Sequence, residues 1–141
     1  LRRVGVFSEV EIRVGLELVE ETLALRHLTD YRWNVVEQRG EVVGFACYGR
    51  VPMTQGTFDL YWLAVHPDAQ GRGVATLLER TVVQSLRANE ARWLLVETPA
   101  TLPFEPARRF YESRGYHLLC RIPDFYRPGA DRLALGKRLD R

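Results

Sequence analysis

A glycine-containing loop near the middle of the chain is the first segment whose residues could do chemistry. It reads Gln70-Gly71-Arg72-Gly73-Val74-Ala75 and leads into an apolar pattern with helical spacing. Small residues at a helix start leave backbone N–H groups unpaired, and the helix dipole adds partial positive charge there. Arg72 adds a guanidinium that can form charge-assisted hydrogen bonds with phosphate. The loop therefore predicts a binding site for a phosphate-bearing ligand.

Two nucleotide-binding motifs share these glycines, and both fit the sequence incompletely. A P-loop would end in Gly-Lys-Ser/Thr, and this loop does not. A dinucleotide fingerprint finds its Gly-x-Gly in Gly71 and Gly73, but Thr76 stands where a third small residue is needed. Glu97 lies near the position of that motif's ribose-binding acid, although residues 66–70 separate the preceding strand from the glycines. A nucleotide-dependent oxidoreductase stays an alternative.

Two carboxylates and one tyrosine are candidates for acid–base chemistry. Asp59 and Glu97 lie in otherwise apolar segments, where burial would raise their pKa values and favour proton acceptance near neutral pH. Tyr111 lies in a predicted helix, and a phenol with a reference pKa of about 10 stays protonated at neutral pH and can donate. The structural alternatives are a hydrogen-bonded carboxylate in each strand and an aromatic ring packed beside Phe110.

The elements that must position these residues alternate between strands and helices. A capping-box pattern at Ser8 predicts a helix over residues 8–25. Residue patterns predict six strands, at 31–37, 42–48, 57–65, 92–98, 116–122 and 132–138, and further helices at 73–88 and 106–114. A strand, the glycine loop, a helix and a strand in this order predict a βαβ unit with parallel strands. The fold class is therefore α/β (α+β), with hairpins on either side of one crossover.

Composition predicts one compact domain over residues 1–141 and excludes several classes of protein. No apolar run is long enough to span a membrane, and a net charge of +2 is too weak to indicate nucleic-acid binding. Cys47 and Cys120 belong to no metal-binding or redox motif, so we expect no metal and a cytoplasmic location. Because residue 1 is Leu rather than Met, we allow for a missing native N-terminus.

Two motifs together connect the chain with a known family. Gln70, Gly73 and Ala75 match the signature Gln/Arg-x-x-Gly-x-Gly/Ala, and residues 107–116 match a later pattern, A-x-x-x-Y-E-x-x-G-F. With both motifs in order, the chain resembles the GNAT superfamily of N-acetyltransferases over roughly residues 8–138, in a small single-domain form found in bacteria. The resemblance implies a mixed, mostly antiparallel sheet with helices on both faces. A central parallel pair of strands would splay apart at the cofactor site.

The resemblance also implies an activity, acetyl transfer from acetyl-CoA to a primary amine by direct attack through a tetrahedral intermediate. Tyr111 would be the general acid, and Asp59, Glu97 or a chain of waters would accept the amine proton. Backbone groups at the end of one strand would pair with the pantetheine arm, and the Val65 N–H would polarise the thioester carbonyl. The implied cofactor residues are Leu63, Ala64, Val65, Gln70, Gly71, Arg72, Gly73, Val74 and Ala75.

The acceptor side is less specified by the resemblance. The first hairpin and residues 123–129 would line it, with Tyr31, Tyr61, Phe125 and Tyr126 as candidate contacts. The partner would be a small-molecule or peptide amine, and a homodimer is possible. Phe104 stands where the family often carries Asn, so a side-chain hydrogen bond to the pantetheine arm is not expected there. The second hypothesis is a catalytically silent CoA-binding or sensor module, which would keep the loop and not need Tyr111.

Overall fold

The structure is a computed structural model that describes residues 31–141. The helix predicted over residues 8–25 lies outside this range. The described elements are β1 (Arg32–Gln38), β2 (Glu41–Arg50), β3 (Thr57–Val65), α1 (Val74–Ala88), β4 (Trp93–Pro99), α2 (Glu105–Ser113), β5 (His117–Arg127) and β6 (Ala130–Arg138). Two short 3-10 turns, Pro67–Ala69 and Leu102–Phe104, precede α1 and α2.

The six strands form one sheet in the order β1-β2-β3-β4-β6-β5. Strands β3 and β4 pair in parallel, and the other four neighbouring pairs are antiparallel. Helix α1 connects the two parallel strands, because a parallel pair needs a crossover between its members. The predicted mixed, mostly antiparallel sheet with a central parallel pair is confirmed.

The parallel pair comes apart after three residue pairs. Strand β4 pairs with β3 only from Trp93 to Leu95, opposite Thr57 to Asp59. Beyond that point β3 stays paired with β2 as far as Val65, and β4 stays paired with β6 as far as Pro99. A wedge-shaped space, called the wedge below, therefore opens between the last residues of β3 and β4.

A β-bulge lies at the narrow end of the wedge. In the β2–β3 ladder Tyr48 pairs with Leu60 but Cys47 pairs with Trp62, so Tyr61 is an extra residue in β3. A bulge of this kind bends its strand and increases the local twist. The bend begins at Tyr61, two residues after Asp59, which forms the last β3–β4 pair. The bulge therefore contributes to the separation of the two strands beyond their last pair.

Helix α1 packs on the sheet mainly through apolar side chains four residues apart, since side chains at i and i+4 share a helix face. These buried residues are Val74, Leu78, Val82 and Leu86. Tyr111 of α2, Tyr116 and Leu94 belong to the same core cluster, so both described helices lie against one face of the sheet. The start of α1 is thereby fixed beside the wedge.

Gly44 of β2 lets the first turn of α1 approach the sheet closely. A Cβ atom built at Gly44 would lie 2.8 Å from Val74 Cγ1 and 3.2 Å from the Ala64 carbonyl oxygen. We expect Gly44→Ala to lower the free energy of unfolding by about 1–3 kcal/mol, since overpacking displaces neighbours that have no free volume. Urea unfolding measures this change. An unchanged urea midpoint would mean that the Val74 side chain moves aside without a loss of stability.

The last hairpin differs from the sequence prediction. Residues 123–127, predicted as part of a turn, extend β5 as far as Arg127, and the connection to β6 shortens to Pro128 and Gly129. Strand β5 lies at the sheet edge, where a missing N–H at Pro123 breaks no ladder. The register between Ile122 and Arg127 is irregular, which accommodates Asp124 with a φ of 54°.

No helix within the described part of the chain combines the length and the hydropathy that crossing a bilayer requires.

Candidate active site

The wedge holds a cavity of about 630 Å³ between β3, β4 and the N-terminal ends of α1 and α2. Most of the residues singled out from the sequence line it: Tyr61, Leu63, Ala64, Val65, Gln70, Gly71, Gly73, Val74, Ala75, Glu97, Tyr111 and Tyr126. Asp59, Arg72, Tyr31 and Phe125 lie outside its lining. Two separate sequence motifs, the glycine loop and the Tyr111 helix, therefore meet at one cavity.

The start of α1 presents free backbone donors to the cavity. Gly73 is the N-cap residue with a φ of 83°, and it provides no side-chain cap. The first helical hydrogen bond is from the Leu77 N–H to the Gly73 carbonyl at 2.9 Å, so the N–H groups of residues 74–76 precede the helical ladder. Donors of this kind, with the helix dipole behind them, favour phosphate.

Glycine is needed in this loop for its backbone conformation. Gly71 and Gly73 have φ values of 75° and 83°, which other residues adopt only with strain. A Cβ atom at either position would meet open space, so the requirement is not one of crowding within the protein. Gln70 secures the start of the loop, because its side-chain Nε2 donates to the Val65 carbonyl at 3.2 Å. The Arg72 side chain is exposed beside the loop.

The edge of β3 that faces the wedge carries unpaired backbone groups. The His66 N–H donates to the Val43 carbonyl at 2.7 Å, which identifies a hydrogen-bonded pair in the β2–β3 ladder. Such pairs alternate with non-hydrogen-bonded ones, so the backbone N–H groups of Leu63 and Val65 point away from β2. Among the described residues, β4 does not pair with Leu63 or Val65, because the β3–β4 ladder ends at Asp59. These groups can therefore hydrogen-bond an extended ligand.

Tyr111 lies at the wall of the wedge with its ring buried. It is 6% exposed, and its ring packs edge-on against Phe110 at 5.4 Å and Tyr116 at 5.3 Å between centroids. None of the hydrogen bonds among residues 31–141 involves its hydroxyl. Burial raises the pKa of Tyr111 above its ordinary value, and the nearby Glu79 carboxylate raises it further. The phenol therefore stays neutral and available as a donor.

Sequence reasoning missed Glu79, the fully buried carboxylate of α1. Its Oε2 accepts from Arg114 Nε at 2.9 Å, and its Oε1 accepts from Lys137 Nζ at 3.0 Å and the Tyr116 hydroxyl at 3.1 Å. Because a buried charge is costly unless paired, this carboxylate needs such partners. One signal was available: Glu79 is four residues before the apolar Val83, on the buried stripe of the helix.

Buried tyrosines give a testable pH dependence of stability. Burial raises the pKa values of Tyr111 and Tyr116, so both stay protonated in the folded protein where an unfolded chain ionises, above about pH 10. Their contribution is complete below that pH and is lost as the pH rises further, since the unfolded state then binds fewer protons. Above about pH 10, we expect urea midpoints to fall less steeply for Tyr111→Phe than for the wild type.

Cys47 adds a loss of stability that begins at lower pH than that of the tyrosines, because an unfolded thiol ionises from about pH 8.5. Burial raises the pKa of its thiol to about 12, so it acts in the same direction in the wild type and in the Tyr111→Phe variant. The difference between the two slopes then belongs to Tyr111. Identical slopes would contradict the assignment of a raised pKa to its hydroxyl.

Asp59, Glu97 and Arg132 meet beside the narrow end of the wedge. Glu97 is exposed at the cavity and forms an ion pair with Arg132 Nη2. Asp59 is half-buried, and burial raises its pKa, with the charge of Glu97 adding to the shift and Arg132 opposing it. The two carboxylates thus influence each other, but Glu97 alone lines the cavity.

Aromatic residues surround the same end of the cavity in two pairs. Tyr31 packs edge-on against Tyr61 at 5.4 Å, and Phe125 packs edge-on against Tyr126 at 5.0 Å. Tyr61 and Tyr126 line the cavity, whereas Tyr31 and Phe125 support them from outside. Within residues 31–141, no group of three or more His, Cys, Asp or Glu side chains could hold a metal ion.

Solved structures share this architecture. The crystal structure of a Desulfovibrio desulfuricans protein assigned to the GNAT family of acetyltransferases is 35% identical, with 98% of this chain and 87% of that chain covered and a TM-score of 0.92. The ribosomal-protein-S18-alanine N-acetyltransferase of Escherichia coli is 22% identical, with coverages of 86% and 77% and a TM-score of 0.72. A Salmonella typhimurium structure solved with acetyl-CoA is 20% identical, with coverages of 89% and 74% and a TM-score of 0.74.

A family model gives the same assignment. The model described as the acetyltransferase (GNAT) domain matches residues 29–118, which include the wedge, the glycine loop and Tyr111. A comparison with curated proteins gave no match. The two structures at 20–22% identity support the fold alone, whereas the family model and the 35% identical structure support membership. The chain belongs to the GNAT family of acetyltransferases.

Proposed function

We propose that this acetyltransferase uses acetyl-CoA and transfers the acetyl group to a primary amine by direct attack. The observation that carries the proposal is the wedge, which joins the uncapped start of α1 to the side chain of Tyr111 in one cavity. A ligand with a pyrophosphate at one end and a reactive thioester at the other matches both ends. The Salmonella structure solved with acetyl-CoA supports this choice of donor.

The residues of the wedge fit coenzyme A from one end to the other. Residues 70–75 would hold the pyrophosphate through the N–H groups at the start of α1, with Arg72 adding charge. The backbone of residues 63–65 would pair with the amides of the pantetheine arm. Phe104 and Phe110 form an apolar wall opposite, in keeping with the absence of an Asn at position 104. When bound, acetyl-CoA supplies an acetyl group activated as a thioester.

The chain's own groups would act at the acetyl end of the cavity. A backbone N–H on the wedge side of β3, at Val65 or Leu63, would donate to the acetyl carbonyl oxygen where negative charge develops. Tyr111 would hold a proton at its hydroxyl and pass it to the departing sulfur. A neutral phenol suits this role, because burial prevents its ionisation at working pH.

Asp59 and Glu97 are the proposed acceptors of the amine proton. Glu97 faces the cavity and can reach an acceptor amine directly or through one water molecule. Asp59 has the raised pKa that suits a base near neutral pH, but it reaches the cavity only through water or through Glu97. Tyr61 and Tyr126 would hold the rest of the acceptor, which is a small molecule or a peptide.

A catalytically silent CoA-binding module would share the loop and the wedge. It would not need a buried tyrosine whose hydroxyl is unpaired within residues 31–141, and that feature favours the enzyme. A dinucleotide-dependent oxidoreductase is disfavoured by the sheet, which has one parallel pair among its described strands, whereas that fold needs a mostly parallel sheet.

Calorimetric titration with acetyl-CoA tests the donor, with NAD as the control ligand. We expect saturable binding of acetyl-CoA in the micromolar range and none of NAD. Release of the CoA thiol in the presence of a panel of primary amines then tests transfer. Binding without thiol release for any amine would favour the silent module, and absence of binding by folded protein would overturn the proposal.

A further inference from the structure

The buried carboxylate of Glu79 connects the two functional parts of the wedge. It lies on α1 about 9 Å along the helix axis from Gly73, the N-cap residue of the proposed pyrophosphate site. Its partners are Arg114 at the end of α2, Tyr116 before β5 and Lys137 on β6. Lys137 is the chain's single lysine, and its side chain is 15% exposed.

Two of these partners hold Tyr111 in place. The Arg114 and Tyr116 N–H groups both donate to the Tyr111 carbonyl at 3.0 Å, and Arg114 also closes the last turn of α2. The Tyr116 ring packs against the Tyr111 ring at an interplanar angle of 66°. Glu79 therefore holds both neighbours that fix the backbone and the ring of Tyr111.

We propose that Glu79 is a positioning residue, which fixes the Tyr111 hydroxyl relative to the cofactor loop at the start of α1. The inference rests on the proposed function of Tyr111 as the proton donor. Buried ionic networks contribute little to stability compared with apolar packing, but they can define a single geometry. A displacement of about 1 Å in a catalytic group is enough to slow a reaction about 100-fold.

Glu79→Gln tests the proposal, because it keeps the shape of the side chain and removes its charge. We expect kcat to fall about tenfold or more while the Kd for acetyl-CoA stays within about twofold. Glu112→Gln, an exposed carboxylate on α2, is the matched control and should match the wild type.

A double-mutant cycle decides between positioning and general stabilisation. If Glu79 acts through Tyr111, Glu79→Gln should slow the Tyr111→Phe variant little further. Independent, multiplicative losses in the double variant would overturn the inference, as would an unchanged kcat for Glu79→Gln alone. Should Glu79→Gln not fold, Tyr116→Phe carries the test, because it keeps the ring contact and removes only the 3.1 Å hydrogen bond.

The same experiments separate this inference from the proposed function. If the wild-type protein binds acetyl-CoA but transfers no acetyl group, both the proposed acetyl transfer and the positioning role of Glu79 are wrong. A wild-type protein that transfers the group, with Tyr111→Phe equally active, would remove Tyr111 and Glu79 from the chemistry and leave the acetyltransferase proposal intact.

Discussion

Tyr111→Phe should lower kcat for acetyl transfer by about 100-fold or more, since positioned acid–base groups contribute roughly 10²–10⁴ in rate. The change removes one oxygen atom and keeps the ring that packs between Phe110 and Tyr116. Affinity for acetyl-CoA should stay within about twofold, because the donors at residues 70–76 are untouched. Steady-state thiol release and calorimetric titration measure the two effects separately.

Tyr48→Phe is the matched control for this variant. Tyr48 is also a buried tyrosine, 3% exposed, but it belongs to β2 and does not line the wedge. It should keep wild-type kcat, which would show that loss of a buried phenol is not in itself harmful. A Tyr111→Phe variant with normal kcat would assign Tyr111 to core packing. Equal losses of rate and of acetyl-CoA affinity would point to a disturbed wedge rather than a missing proton donor.

Gly73→Val should weaken acetyl-CoA binding by roughly 5- to 150-fold. A β-branched residue at a φ of 83° carries about 1–3 kcal/mol of backbone strain. The loop can relieve that strain only by turning the first N–H groups of α1 away from the wedge. Calorimetric titration with acetyl-CoA measures the loss, and the kcat of the saturated variant should change much less, because Tyr111 lies on another helix.

Gly40→Val is the control, since it places the same side chain at nearly the same backbone conformation. Gly40 has a φ of 80° in the turn between β1 and β2, and a Cβ there would also meet open space. Gly40→Val should lower stability and leave the Kd for acetyl-CoA unchanged. Equal weakening by both variants would mean that global stability, not the geometry of the loop, controls binding.

Local signals were enough to predict the segments that meet at the cavity. The glycine loop and the Tyr111 helix are continuous segments that sequence motifs locate, and β3 has the predicted bounds, Thr57–Val65. The order strand, loop, helix and strand also predicted the parallel pair, because chain connectivity restricts how such strands can pair. Family resemblance supplied the expectation that the pair splays.

Long-range contacts account for what the sequence did not show. Glu79 is 58 residues from Lys137 and 35 from Arg114, so nothing near it in the chain indicates its partners. The bulge at Tyr61 depends on the register between β2 and β3, which hydrophobic patterns do not set to one residue. Glu97 lines the cavity and Asp59 does not, because Glu97 lies two residues beyond the last β3–β4 pair, whereas Asp59 belongs to that pair.

The short β3–β4 ladder has a mechanical consequence. Three residue pairs connect a three-stranded half, β1-β2-β3, to a second half, β4-β6-β5, and helix α1 bridges them on one face. The two halves are therefore hydrogen-bonded to each other along only part of the length of β3 and β4. A ligand that hydrogen-bonds to both halves in the open part extends this connection, so its binding should slow hydrogen exchange in both halves at once.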